Sequence, residues 1–232
     1  MIRYGPHREP GLAAPDDVRL VRLDLDPAVP LSDPLFDVLS GAERAAAERF
    51  RHPADRIRSA ATRAVLRRLL GAELGAAPEG LAFALSDRGR PALAGAGALD
   101  FNVSHGGGHA LIAWSRRRRV GVDVEPWRDG WDWRALAAAV LGAADMRRLA
   151  AAPEAAGRLF LDAWVAKEAL LKAEGRGITG GLSGFSVLPA ASGAPAVAGE
   201  DAAVLASFAA AWLRAIPGHA GCLAWGREPV AP

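Results

Sequence analysis

Lysine is almost missing from this chain of 232 residues: of its 28 basic residues, only Lys167 and Lys172 are lysine. A sequence that otherwise writes arginine for every positive charge marks these two positions for work a guanidinium does poorly. An amine is a compact charge whose pKa can be tuned, whereas guanidinium stays charged. Cysteine is equally scarce. The single Cys222 excludes an internal disulfide framework and suits a reducing cytoplasm. No run of about 18 apolar residues occurs, so no membrane-crossing helix is expected. The opening MIRYGPHREPGLAAPDD lacks the apolar stretch of a secretory signal. P-loop and Cys/His zinc spacings are absent too. The pI of about 9.2 accompanies a formal charge of only +2. With one Tyr, one Cys and two lysines, little titrates between neutral pH and pH 9, so a small arginine excess sets that value. It gives no reason to expect a nucleic-acid partner.

What is present is a globular composition, with 51% hydrophobic and 23% charged residues, enough for a sizeable core. Val18–Asp26 alternates as a strand does. Residues Ser40–Leu70 read as two helices divided at Pro53. Leu81–Leu85, Leu99–Val103, Ala110–Trp114 and Val120–Val124 read as short strands between Gly-rich turns. Helical patterns follow at Trp131–Leu141, Asp145–Ala151 and about Glu154–Glu174, the last closed by Gly175. Phe185–Leu188, Ala202–Leu213 and Cys222–Trp225 read as strands, although Ala202–Leu213 also fits a helix. The expected class is α+β in two units, residues 1–116 and 117–232, divided near the Arg116–Arg119 run. That run is read as a solvated turn in preference to a binding patch.

Three segments carry chemistry. In Val120–Pro126 (VGVDVEP), alternation puts the valines on one face and Gly121, Asp123 and Glu125 on the other. Two carboxylates at i and i+2 can converge on one hard cation; magnesium accepts one or two carboxylates and leaves its other positions to water and phosphate. The plain alternative is an exposed acidic strand face. Gly121 admits close approach of a ligand or of another backbone. In WVAKEALLK (164–172), Trp164, Glu168 and Lys172 form one helical stripe. Glu168 could complete a three-carboxylate site, and Lys172 could meet a phosphate; a surface ion pair is the alternative. In FNVSHGGG (101–108), a strand delivers Ser104 and His105 to a glycine turn able to face an anion, or simply turns the chain. Arg90, in RGRP (88–91), and Arg58 are further candidate phosphate ligands.

Two lookalikes fail. HGGG at 105–108 matches an esterase oxyanion element, but no serine sits in a G-x-S-x-G elbow. GRGITG at 175–180 follows a helix where a dinucleotide fingerprint needs a strand.

In this order, the helix with Phe50, Asp55 and Arg58, GRP (89–91), FNVSH (101–105), GVDVE (121–125), WVAKEALLK (164–172), GRG (175–177) and FSV (185–187) resemble the Sfp-type 4'-phosphopantetheinyl transferases. The resemblance implies a monomer of two similar α+β lobes about a pseudo-twofold axis, with coenzyme A in the cleft between them. It implies magnesium held by Asp123, Glu125 and Glu168, with the second lobe carrying the metal site. It also implies coenzyme A contacts from Arg58, Arg90, Ser104, His105 and Lys172, and catalysis by Glu168 and Lys172. The implied reaction moves the phosphopantetheine arm to a serine of an apo acyl or peptidyl carrier protein. A coenzyme A or nucleotide-phosphate binder without turnover is the alternative. Lys167 matches a lysine beside the metal-binding glutamate, and Trp164 reads as packing. Three positions depart from the pattern: Glu43 and Ala46 stand where some members carry lysine, and Asp145 stands at a position often filled by Glu.

Overall fold

The computed structural model describes residues 1–7, 9, 11–86, 89–95, 99–128, 130–176, 181–189, 193–199 and 202–230. In chain order come β1 (Arg3–Pro6), β2 (Arg19–Asp24), α1 (Gly41–Glu48), α2 (Pro53–Leu74), β3 (Phe83–Leu85), β4 (Pro91–Leu93), β5 (Asp100–Gly106), β6 (His109–Ser115) and β7 (Val120–Pro126). Then follow α3 (Arg134–Val140), α4 (Ala143–Ala150), α5 (Ala156–Glu174), β8 (Phe185–Ser186), β9 (Ala198–Gly199), α6 (Ala202–Leu205), β10 (Phe208–Leu213) and β11 (His219–Gly226). This is an α+β fold. The chain breaks between α1 and α2 at Pro53, which opens α2 where its missing N–H costs nothing. A reciprocal Ser40–Glu43 capping box starts α1, and Gly175 closes α5.

An antiparallel sheet of order β1-β2-β6-β5 and another of order β10-β11-β7 form the centre. Helix α2 covers the first sheet, packing Val65, Leu66 and Leu70 on Leu23, Phe101 and Ile112. Helix α5 covers the second, with Ala166, Ala169 and Ala173 close to Cys222 and Ala224. The remaining faces share one core: Leu20, Leu111 and Ala113 meet Val120, Val122, Val124 and Leu223. The layers therefore run helix, sheet, sheet, helix, and burial of the two inner faces fixes the strand register.

The sheets also meet edge to edge, along β5 and β7. Three β5 side chains do there what a neighbouring strand's carbonyls would do. Asp100 Oδ2 accepts from Val120 N at 2.8 Å, Asn102 Oδ1 from Val122 N at 2.9 Å, and Ser104 Oγ from Val124 N at 3.4 Å. These bonds satisfy buried amides that would otherwise be orphaned.

Several boundaries differ from the sequence reading. Ala202–Leu213 is not one strand but a helical turn followed by β10. Alanine on every side gave it no period to read, and alanine favours helix wherever no partner strand is in reach. The strand expected over Phe185–Leu188 stops at Ser186, and β5 runs on through Gly106. The arginine run is a turn whose cations are engaged by the protein. Arg116 pairs with Glu73 at 2.6 Å, Arg118 with Asp17 at 3.1 Å, and Arg119 with Asp100 at 3.7 Å. Arg88 and residues 177–180, which belong to two of the motifs above, lie outside the described residues.

Candidate active site

The alternation read in β7 holds. Val120, Val122 and Val124 are fully buried in the shared core, while Gly121, Asp123 and Glu125 take the opposite strand face, where α5 packs. That face is not a solvated one: Asp123 is 3% exposed. Gly121 explains how α5 comes so near. A Cβ there would stand 2.0 Å from the Ala169 carbonyl oxygen and 2.5 Å from Ala173 N, so only glycine lets helix and strand meet at this point. The close approach is to a backbone, the second of the two options the sequence offered.

Bringing α5 onto β7 places its polar stripe against the strand carboxylates. Lys172 Nζ donates to Asp123 Oδ1 at 2.6 Å and lies 3.9 Å from Glu168 Oε2. It is also 3.4 Å from the Val122 carbonyl oxygen and 3.5 Å from Ser104 Oγ. Ser104 donates to the same Asp123 Oδ1 at 2.7 Å, so its hydroxyl orients a carboxylate. Asp123 Oδ2 is buried and has no hydrogen-bond partner.

The electrostatics follow from three carboxylates sharing one ammonium. Burial, then the Asp123 and Glu125 charges, push the Glu168 carboxyl up to about 7, with Lys172 opposing. Burial and then Asp123 raise Glu125 as well. Burial works to lower the pKa of Lys172, but attraction to Asp123 and Glu168 outweighs it and the net shift is upward. The lysine is held charged; the glutamates are held reluctant to ionise.

His105 follows Ser104 on β5 and is exposed. Desolvation of its ring, then the charges of Arg58 and Lys172, lower its pKa. Arg58 donates to Asp55 at 2.8 Å and to the Gly107 carbonyl at 3.2 Å, which aims it at the same turn. Arg58 and Lys172 therefore form a positive flank beside the carboxylates, with the His105 ring next to them, a pairing suited to an anion bridged to a cation. Glu125 also lines a pocket of about 200 Å³ with Pro126, Arg128, Trp131, Leu161 and Trp164.

Two expected residues have other partners. Arg90, 11% exposed at its side chain, donates to Asp100 Oδ2 at 2.6 Å, to the carbonyls of Phe101 and Val120 at 3.1 and 2.9 Å, and to that of Lys172. It clamps β5, β7 and the end of α5 together. Lys167, placed by its motif beside Glu168, points the other way. Its ammonium is fully buried, 2.8 Å from Asp145 Oδ2, and donates to the carbonyls of Val140 and Leu182 at 2.7 and 2.9 Å and to that of Phe185. Trp164 packs in the aromatic cluster with Trp131 and Phe160, as expected.

The fit to a divalent cation is one of charge and donor type. Among the described residues, no three His, Cys, Asp or Glu side chains form a ready-made metal cage, so the expected convergence of three carboxylates on one point is not preformed. Like charges repel, and the Lys172 ammonium occupies the compensating position at Asp123. Three carboxylates against one ammonium nonetheless leave a net negative site with a buried, unpartnered oxygen. That suits a hard ion taking one or two carboxylates and completing its sphere with water and phosphate oxygen.

Asp100, Asn102 and Asp145 are the residues that sequence reading left without a role. The polar i, i+2 alternation of Asp100, Asn102 and Ser104 was a visible signal for the first two.

Comparison with known proteins finds matches over both halves of the chain. Residues 119–219, which span β7 and α5, match the 4'-phosphopantetheinyl transferase superfamily. Residues 31–117, which span α1, α2 and β5, match the N-terminal part of 4'-phosphopantetheinyl transferases. The chain is 39% identical over 169 residues to the 4'-phosphopantetheinyl transferase HetI of Nostoc sp., covering 70% of each chain. It is 35% identical over 149 residues to the Synechocystis sp. protein slr0495, a candidate for the same activity, covering 63% of this chain and 61% of that one. To the 4'-phosphopantetheinyl transferase AcpT of Salmonella typhimurium it is 34% identical over 106 residues, 45% of this chain and 55% of that one.

Proposed function

The chain belongs to the 4'-phosphopantetheinyl transferase superfamily, and on that premise we propose that it transfers the phosphopantetheine arm of coenzyme A to a serine of an apo acyl or peptidyl carrier protein, releasing 3',5'-ADP. The observation that carries this reading is Lys172 between Asp123 and Glu168, with Arg58 and the His105 ring alongside. A pyrophosphate binds where cations and hydrogen-bond donors face it, and the same groups stabilise the charge that develops on the leaving phosphate.

In this account Asp123, Glu125 and Glu168 hold magnesium, which when bound neutralises pyrophosphate charge. Lys172 presents its ammonium to the phosphates, and His105 and Arg58 hold the nucleotide end. Ser104 keeps Asp123 oriented, and Arg90 holds the seam in register. The carrier serine oxygen attacks the phosphorus attached to pantetheine; the bond to the 3',5'-ADP oxygen breaks; the serine proton passes to Glu168. A carboxylate within reach of the attacking hydroxyl can take that proton. We take residues 1–116 and 117–232 as two lobes of a cytoplasmic monomer, with the cleft between them. No helix among the described residues is long and apolar enough to cross a membrane.

Incubating the protein with coenzyme A, magnesium and a panel of apo carrier proteins, then weighing each carrier, tests the proposal. A gain equal to one phosphopantetheine on at least one carrier is expected. Coenzyme A binding with no gain on any carrier would instead mark a binder without turnover.

A further inference from the structure

The turn that joins β5 to β6, Gly106–Gly108, is gripped from two sides. From α2, Arg58 Nε donates to the Gly107 carbonyl at 3.2 Å. From the start of β11, His219 Nε2 lies 3.1 Å from the Gly106 carbonyl oxygen, and its Nδ1 lies 2.7 Å from that of Pro217. A carbonyl oxygen can only accept and a neutral imidazole carries a single N–H, so the tautomer protonated at Nε2 is the one that donates to Gly106.

The contact is close enough to dictate sequence. Gly107 has φ +54°, and a Cβ there would stand 2.6 Å from His219 Nε2 and 3.2 Å from Pro126 Cβ. At Gly106 a Cβ would stand 2.6 Å from the Val124 carbonyl oxygen. The glycines thus let the turn press onto the end of β7 and onto the histidine ring together. The ring is steadied in turn by His109, edge-on with centroids 4.6 Å apart, and His109 Nδ1 lies 3.0 Å from Asp24 Oδ1.

We infer that His219 is a positioning residue for coenzyme A: by donating to the Gly106 carbonyl it fixes the turn that carries His105 on one side and anchors Arg58 on the other. This rests on the reading above, in which His105 and Arg58 hold the coenzyme. The hydrogen-bond contacts of the His219 ring reach Pro217 and Gly106 and not the carboxylates or Lys172, so its action runs through the backbone of the turn.

Packing and donation make opposite predictions for two variants. His219→Phe keeps a ring against His109 and removes the ring N–H. His219→Gln loses the ring and keeps an N–H donor able to reach the turn. Coenzyme A affinity, measured by calorimetry on the full chain with magnesium, is expected to fall about tenfold in His219→Phe, the worth of one lost hydrogen bond. It should stay within about threefold of wild type in His219→Gln. A Phe variant that binds as wild type does, or a Gln variant as weak as Phe, overturns the inference. Gly107→Ala displaces the same contact from the turn side and is expected to weaken binding by about tenfold as well; unchanged affinity there also overturns it. Wild-type protein that binds no coenzyme A overturns the proposed function and this inference together, whereas equal binding by all variants overturns the inference alone.

Discussion

The carbonyl oxygen of Ala169 occupies the space that a side chain on Gly121 would need: an added Cβ would stand 2.0 Å from it. This one close approach sets the depth at which α5 rests on β7, and hence whether Lys172 reaches Asp123. Both neighbours are backbone, which cannot rotate away. Gly121→Ala should therefore destabilise the protein by about 3 kcal/mol, at the upper end of overpacking costs, and reduce transfer with it. Urea unfolding measures the first effect. A loss under about 0.5 kcal/mol, as at an ordinary surface position, would contradict this account of the packing.

The two lysines do different jobs, and the Lys167 job is structural. With Asp145 Oδ2 at 2.8 Å and neither side chain exposed, removing the lysine leaves a buried, unpaired carboxylate whose other oxygen already accepts from Val187 N and Leu188 N. Lys167→Met should cost about 3–5 kcal/mol, the usual penalty for breaking one side of a buried pair. Chemical denaturation reads it directly. A variant as stable as wild type would show that the pair is not structural.

Much of this was legible in sequence because periodicity carries it. Alternation in β7 separated the valines from the acids, the helical stripe joined Glu168 to Lys172, and Pro53 and Gly175 marked helix ends. Lysine scarcity pointed to both ammonium groups. It could not say that one faces the carboxylates and the other faces Asp145, since that depends on which side of α5 meets β7. The seam was harder still. Asp100 and Asn102 act by accepting from another strand's amides, and Arg90 by clamping that strand. Nothing in local sequence states which strand edges will meet. The alanine-rich Ala202–Leu213 was misread because a uniformly apolar stretch has no period.

Ser104 donates to Asp123 at 2.7 Å, which fixes the direction in which that carboxylate presents its free oxygen. Ser104→Ala should weaken magnesium about tenfold, the low end for losing a group that orients a metal ligand, while the protein stays folded. Magnesium titration of the transfer rate gives the number. An unchanged magnesium requirement would mean that Asp123 needs no such support.

Glu168 imposes a pH dependence on stability. Its carboxyl sits at about 7 in the fold, up from 4.5, so between those values the folded protein keeps a proton that the unfolded chain releases. Folding stability from this group therefore declines as pH rises from 4.5 to about 7, and the loss is complete above that. Glu125, also shifted upward, adds in the same direction. The thermal midpoint of metal-free protein should fall between about pH 5 and pH 8, and Glu168→Gln should flatten the fall. Magnesium should raise the midpoint more at about pH 8 than at pH 5, because ion and proton compete for the same carboxylate. The same slope in wild type and Glu168→Gln would contradict it.

The most direct measurement is the intact mass of an apo carrier protein after incubation with coenzyme A and magnesium, using wild type and the Asp123→Asn and Glu168→Gln variants. The wild type should add one phosphopantetheine, chelation of magnesium should stop it, and both variants should lose at least about a hundredfold in rate, the scale expected when charge stabilisation is removed. Full transfer by either variant, or by wild type stripped of divalent ions, would contradict the central role given to Asp123 and Glu168.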